Sequence, residues 1–203
     1  MEAWIGEQWH RLITRAADRS HAAHAVSLGS VQRSVELLFR SAGGAPGVRV
    51  VPAAPARIGG PRDWLQRLAG TGQRAAVSQL DAETLALPPV IAVFDDAALN
   101  RDLYLWLAAL AAGHVPGGDW LPANVAASAE ALRRCPGLRP RWQRLCAAHL
   151  AQRPAVAGLD AVAAAAEALV QTALRQEPVG QPLPVANAAR PLRPTDVAPV
   201  WLW

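Results

Sequence analysis

Apolar residues recur at helical spacing in several stretches of this 203-residue chain. The clearest stretch follows Asp95 and Asp96, either of which can cap a helix, and Gly113 marks its end. Its second half is apolar on nearly all sides, which is typical of a central, buried helix. Ser30 is the expected N-cap of the second helix, and Gly43-Gly44 its stop. The seven predicted helices cover residues 4–16, 30–41, 62–68, 96–112, 123–134, 140–152 and 159–176.

A region of β character interrupts this helical pattern. Val48, Val50 and Val51 form a β-branched run between turns, which predicts a short strand. Residues 76–80 and 84–93 flank Asp81-Ala82-Glu83 and predict a hairpin, whose second strand Pro88-Pro89 would confine to a sheet edge. The expected fold class is therefore mainly α, a multi-helix bundle with a small β-hairpin or a two- to three-stranded sheet inserted at about residues 48–93.

The last part of the chain, residues 178–203, is rich in proline, which rules out a regular helix there. The sequence thus predicts a helical domain over residues 1–177 and an extended tail, or a linker to a downstream region, over 178–203. The chain ends on Val200-Trp201-Leu202-Trp203, an apolar run expected to form an exposed patch, as in a piece cut from a longer protein. Tryptophan is a favoured interface anchor, so Trp201 and Trp203 are candidate partner-binding residues.

Charge and composition narrow the possible functions. All 20 Lys+Arg residues are arginines, and the net charge is +4 at neutral pH. Without lysine the chain can form neither a Schiff base nor a Walker A phosphate loop. The arginines alternate with acidic residues and cluster only loosely from Arg133 to Arg144, so nucleic-acid binding, which needs a coherent basic patch, is not expected.

The cellular setting follows from the cysteines and from the apolar runs. Two cysteines and a start that lacks signal-peptide character predict a cytoplasmic protein. The most apolar run, residues 103–112, is about half as long as a bilayer span requires, so membrane insertion is not expected.

Few residues are candidates for chemistry. Cys135, Cys146 and His149 could supply three zinc ligands, but the close cysteine pair of structural zinc sites is missing, which favours two core cysteines and a surface histidine. Asp102 and Glu130 could form an acid/base pair, which would need a defined separation across a pocket. No Gly-x-Ser-x-Gly elbow occurs. We therefore predict a chain that is not an enzyme, with no catalytic, cofactor-binding or metal-binding residue.

Residues 87–94, followed by Leu99 to Ala112, resemble the N-terminal region of the CbbO/NorD family. Residues 4–15 and 64–72 are similar to it as well. The resemblance implies a non-catalytic adaptor that docks on the hexamer of a MoxR-class AAA+ ATPase (CbbQ/NorQ-like). In CbbO such a pair remodels inhibited Rubisco, and in NorD it supports maturation of nitric oxide reductase. We expect Rubisco as the client, with nitric oxide reductase as the alternative.

The family resemblance does not extend to every family feature. Members of the family carry a von Willebrand A domain with a metal-dependent adhesion motif, Asp-x-Ser-x-Ser, which is absent from this sequence. The remaining alternatives are a zinc-binding protein and a stand-alone helical scaffold that self-associates through Trp201 and Trp203.

The Asn-Arg-Asp-Leu-Tyr-Leu-Trp sequence at residues 100–106 is the most specific part of the resemblance. Helical spacing places Leu99, Leu103, Trp106 and Leu110 in the predicted core. Arg101 and Asp102 lie off this stripe, which makes them candidates for a polar partner contact or for an internal salt bridge. We favour the salt bridge and keep both residues as candidate partner-binding residues.

Overall fold

The computed structural model describes residues 19–53, 55–57, 74–76, 79–80, 84–114, 118–176 and 191–203. Within these residues, five α-helices form most of the regular structure, which confirms the predicted mainly helical fold class. They are α1 (Leu28–Ser41), α2 (Ala97–Gly113), α3 (Trp120–Arg134), α4 (Arg139–Ala151) and α5 (Ala161–Arg175). Short 3-10 turns lie at Arg19–His24, Pro136–Leu138, Val156–Gly158 and Pro194–Asp196.

Helix α2 lies at the centre of the fold and packs against α1, α3 and α4. Its buried side chains face all directions, as the nearly continuous apolar pattern of its second half predicts. The carboxylate of Asp96 accepts a hydrogen bond from the Ala98 amide at 2.7 Å, which confirms the expected N-cap. The helix ends at Gly113, also as expected.

The starts of α1 and α3 differ from the prediction. Helix α1 begins at Leu28, and Ser30 lies inside its first turn, where its hydroxyl donates to the Ser27 carbonyl at 2.7 Å. The prediction of Ser30 as N-cap is therefore wrong by one turn. Helix α3 begins at Trp120 rather than at residue 123, since the first turn of a helix tolerates Pro122, whose missing N–H would have no partner there. The helices predicted at 4–16 and 62–68 lie outside the described residues.

Seven short strands in the described residues pair into three small sheets. The strands are β1 (Val26–Ser27), β2 (Arg49–Pro52), β3 (Pro55–Arg57), β4 (Arg74–Ala76), β5 (Gln79–Leu80), β6 (Thr84–Leu87) and β7 (Val90–Ile91). Strand β6 is the centre of one sheet, parallel to β2 and antiparallel to β5. Strands β1 and β7 form a second antiparallel pair, and β3 and β4 a third.

The hairpin predicted around Asp81-Ala82-Glu83 is present as β5 and β6, with Leu80 opposite Leu85. Its second strand is shorter than expected, because it ends at Leu87. Pro88 and Pro89 have no N–H to donate to a ladder, so the chain leaves the sheet and β7 pairs with β1 instead.

The C-terminal segment, residues 191–203, lies against the helical core. Val200, Leu202 and Trp203 are buried, with Trp203 only 4% exposed, so the predicted exposed apolar patch is wrong. The apolar side chains are covered by the protein's own helices, and the Trp203 ring meets the Trp120 ring edge-on at 5.7 Å. The predicted boundary near residue 177 remains a prediction, because residues 177–190 lie outside the described part.

None of the helices in the described part of the chain is long and apolar enough to span a bilayer.

Candidate functional site

Asn100 is fully buried. It is the first residue of the segment 100–106 of α2, which we call the family-like sequence because it carries the most specific part of the family resemblance. Its Oδ1 accepts hydrogen bonds from the amides of Val93 at 3.0 Å and Phe94 at 2.9 Å. Its Nδ2 donates to the carbonyls of Phe94 at 2.8 Å and His24 at 2.9 Å. The side chain thus uses two acceptor and two donor positions, and it ties α2 to the turn before β1 and to the loop after β7.

Tyr104 and Trp106 attach two further segments to the same helix. The Tyr104 hydroxyl donates to the Pro88 carbonyl at 2.6 Å, and burial raises the pKa of this phenol. The indole N–H of Trp106 donates to the Leu202 carbonyl at 2.8 Å. The polar atoms of the family-like sequence therefore hold separate parts of the chain on α2.

Asp102 joins α2 to α4. Its carboxylate accepts a hydrogen bond from Arg144 Nη2 at 2.9 Å and forms an ion pair with Arg141 Nε at 3.0 Å, while its side chain is only 9% exposed. The internal salt bridge that the helical pattern favoured is thus observed for Asp102. Arg101 is exposed beside it. Partner binding by Arg101 and Asp102 remains a prediction.

Glu130 on α3 is also held by two arginines. Arg133 donates to both of its oxygens at 2.7 Å, and Arg134 Nε donates to Oε1. Hydrogen bonds from these two guanidinium groups lower the pKa of Glu130 to about 2. A general acid needs a raised pKa, so this carboxylate is unsuited to the acid role in the pair considered with Asp102.

A buried ionic cluster at the end of α4 was not anticipated from the sequence. Arg153 and Glu167 form a two-pronged ion pair, with Nε–Oε1 at 2.5 Å and Nη2–Oε2 at 2.6 Å, and both side chains are 1% exposed. Burial alone would raise the pKa of Glu167, but hydrogen bonds from Arg153 and Gln171 outweigh it and keep the pKa below its usual value. A single acidic residue within the alanine-rich sequence of α5 was the signal that could have suggested a buried pair.

Arg153 also holds the C-terminal segment. Nη1 donates to the Pro199 carbonyl at 3.0 Å and Nη2 to the Ala198 carbonyl at 3.1 Å. The remaining contact of Nη1 is with His149 Nε2, at 3.1 Å. One guanidinium group therefore connects α4, α5 and the C-terminal segment.

His149 is buried rather than at the surface, so the sequence-based placement of this residue is wrong. Because Arg153 can only donate, Nε2 of His149 acts as acceptor and the ring proton is on Nδ1. Nδ1 has no hydrogen-bond partner among the described residues. Burial, and then the charge of Arg153, lower the pKa of His149 to about 3, which keeps the ring neutral.

The other two residues of the zinc hypothesis lie in or near the core. Cys146 is buried, and burial raises the pKa of its thiol to about 12, while Cys135 is partly buried and its pKa is also raised by burial. In the part of the chain that the structure describes, no three His, Cys, Asp or Glu side chains come together in a way that could hold a metal ion.

Comparisons with known proteins show which sequences this chain is similar to. No protein-family model and no solved structure matches the chain. Over all 203 residues, the chain is 41% identical to the uncharacterized protein PA0525 of Pseudomonas aeruginosa. Protein NorD of Stutzerimonas stutzeri is 41% identical over 176 residues, or 87% of the chain. The chain is homologous to a region of the NorD proteins. Protein NorD of Brucella suis also matches, with 37% identity over 168 residues, or 76% of the chain.

The matched NorD region is a minor part of each relative. The chain spans 32% of the Pseudomonas aeruginosa protein, 29% of the Stutzerimonas stutzeri NorD and 26% of the Brucella suis NorD. The resemblance that residues 87–112 indicated is thereby confirmed.

Proposed function

We propose that this NorD-like region is a non-catalytic adaptor that docks on the hexamer of a MoxR-class AAA+ ATPase and couples it to activation of nitric oxide reductase. The observation that carries the proposal is the homology to NorD over most of the chain. These relatives bear the name NorD, which favours nitric oxide reductase as the client. The client expected from the sequence alone is Rubisco.

The arrangement of the polar residues supports an adaptor. Three of the side chains considered for chemistry have partners within the protein: Asp102 and Glu130 form ion pairs with arginines, and His149 contacts Arg153. Buried tethers on α2 and around Arg153 hold the described helices and the C-terminal segment as a preorganised body. An adaptor that transmits work from an ATPase requires such a body and a binding surface, and it requires no reactive group.

Co-elution and ATP turnover test the docking. The full-length protein that contains this region is mixed with its cognate MoxR-class ATPase from the same organism. We expect the two to elute together and the rate of ATP hydrolysis to change. Separate elution together with an unchanged rate would refute the adaptor proposal.

A complementation experiment tests the client. Cells that lack the full-length gene are expected to lose nitric oxide reduction and to regain it when the gene returns. Purified, inhibited Rubisco incubated with the ATPase and the adaptor provides the comparison. Reactivation of Rubisco without any effect on nitric oxide reduction would overturn the client assignment and leave the adaptor role in place.

A further inference from the structure

Five arginines form one positively charged surface where the end of α3 meets the start of α4. No acidic residue occurs between Glu130 and Asp160. We call this surface, with the two carboxylates Asp102 and Glu130 that it surrounds, the arginine surface. The five arginines are Arg133, Arg134, Arg139, Arg141 and Arg144. The arginine surface has a net charge of +3, against +4 for the whole chain, so the rest of the chain is close to neutral.

Four of the arginines form two similar groups. Asp102 is shared by Arg141 and Arg144, and Glu130 is shared by two neighbours in its own helix. Each group keeps one net positive charge, because two guanidinium ions face a single carboxylate. The guanidinium-bearing side chains stay accessible, with Arg133 70% exposed and Arg144 59% exposed.

The geometry of α2 places the two groups on the same side of the molecule. Asp102 and Gly113 are eleven residues apart in this helix, which is close to three full turns, so they lie on the same helix face about 16 Å apart. Glu130 packs against the Gly113 end, since its Cγ lies 3.3 Å from where a Cβ on Gly113 would be. The two groups therefore occupy the two ends of one face.

The carboxylates keep the arginines preorganised. An arginine side chain loses considerable rotamer freedom when it binds a partner, and less of that cost remains when a neighbouring carboxylate already orients the guanidinium group. The planar fork of donors then matches a carboxylate of a partner. A polyanion such as DNA is a poorer fit, since such binding depends on many unneutralised cations, and here each carboxylate already compensates one charge of its two arginines.

We propose that the arginine surface binds an acidic protein surface that presents carboxylates in two clusters about 16 Å apart. The choice of the MoxR-class ATPase as the first probe rests on the proposed function. The second probe, poly-L-glutamate, tests the chemistry of the surface independently of that function.

The test uses the full-length protein with R133Q/R144Q. This variant removes one arginine from each group and leaves Arg134 on Glu130 and Arg141 on Asp102, so neither carboxylate loses its last partner. The matched control, R33Q/R40Q, removes two exposed arginines of α1. Single R144Q serves as a milder variant if the double variant unfolds at a lower temperature.

Binding to each immobilised probe is measured at several salt concentrations. We expect R133Q/R144Q to bind both probes about tenfold more weakly and with a flatter salt dependence, and R33Q/R40Q to bind like the unaltered protein. Binding to poly-L-glutamate that depends on these arginines, without binding to the ATPase, would support the arginine surface and count against the proposed function.

Three results would overturn the arginine surface as a site for an acidic protein. One is that the unaltered protein binds neither probe. Another is that R133Q/R144Q and R33Q/R40Q weaken binding equally, since net charge alone would then explain it. The third is that duplex DNA of matched charge binds more tightly than poly-L-glutamate.

Discussion

The buried side-chain amide of Asn100 binds two stretches of backbone to α2, one at His24 and one at Val93 and Phe94. Each of its partners is a backbone group that would lose its only side-chain acceptor or donor if the amide were removed. A buried polar group left without a partner costs about 1 to 3 kcal/mol, which is more than a made hydrogen bond contributes. Because losing a partner costs more than a hydrogen bond contributes, Asn100 affects the stability of the fold more than its size suggests.

Asn100→Ala is therefore expected to lower the free energy of unfolding by about 3 kcal/mol or more, because several buried backbone groups lose their partners together. Urea unfolding followed by circular dichroism measures this change. Ser34→Ala, at an exposed position of α1, is the control and should change stability by less than about 0.5 kcal/mol. Equal effects of the two substitutions would contradict the role assigned to Asn100.

His149 makes stability depend on pH. An ordinary histidine titrates near 6.5, whereas the pKa of His149 in the folded protein is about 3. Between these values the unfolded chain binds a proton that the folded protein excludes, so acidification favours unfolding. Stability should fall by up to about 1.4 kcal/mol for each pH unit below 6.5, with the half-buried His114, whose pKa burial also lowers, adding to the slope.

His149→Gln should flatten this slope between pH 6.5 and 4.5, since glutamine can still accept from Arg153 and does not titrate. Thermal unfolding midpoints over this range measure it, and they avoid the lower pH at which Glu167 begins to be protonated. Ser34→Gln, at an exposed position of α1, is the control and should keep the original slope. An unchanged slope in His149→Gln would refute the assignment.

At the scale of elements, local features of the sequence were enough to predict the helices. They were not enough to predict pairings between residues far apart in the chain. Helix α2 was predictable because its cap at Asp96 and its apolar pattern both lie within the helix. The parallel pairing of β2 with β6 joins residues about 35 positions apart, for which neither strand carries a local signal. Local propensity also gave no indication that Arg153 and Glu167 would meet.

The same limit explains the C-terminal segment. Its prolines correctly exclude a regular helix, but an apolar run such as Val200–Trp203 is equally compatible with an exposed patch and with a buried one. Which of the two occurs depends on whether the helices leave a space that fits, and that is a property of the assembled core. Trp120 on α3 and Trp106 on α2 line this space.

Trp203→Ala should destabilise the fold by about 3 to 5 kcal/mol, because it opens a large cavity beside Trp120. Trp201→Ala removes a half-buried ring and should cost clearly less. Urea unfolding of the two variants gives the comparison. Similar small losses for both would mean that the C-terminal segment does not belong to the core in solution.

At the scale of the molecule, residues of α1 to α5, of strands β1, β2, β6 and β7 and of the C-terminal segment contribute to one hydrophobic core. A shared core predicts cooperative unfolding in a single transition. The arginine surface lies outside this core, which separates the part that holds the fold from the part proposed to bind.

Hydrogen exchange can test whether the C-terminal segment unfolds with the helices. The indole N–H of Trp106 donates to the Leu202 carbonyl. If the segment unfolds together with the helices, this proton should exchange with solvent as slowly as the most protected backbone amides of α2. One NMR experiment compares the exchange rate of the indole proton with the exchange rates of the α2 amides. Rapid exchange of this indole proton beside protected α2 amides would show that the segment opens on its own.

The anchoring of Trp203 has a mechanical consequence. A pulling force applied to the chain at this residue would load the Trp106–Leu202 hydrogen bond and the Trp120–Trp203 contact together. A flexible segment would extend before it transmitted any force. This segment is held by Arg153, Trp106 and Trp120, so it can extend very little. Tension at this end would thus reach α2 and α3 directly and act on the centre of the fold.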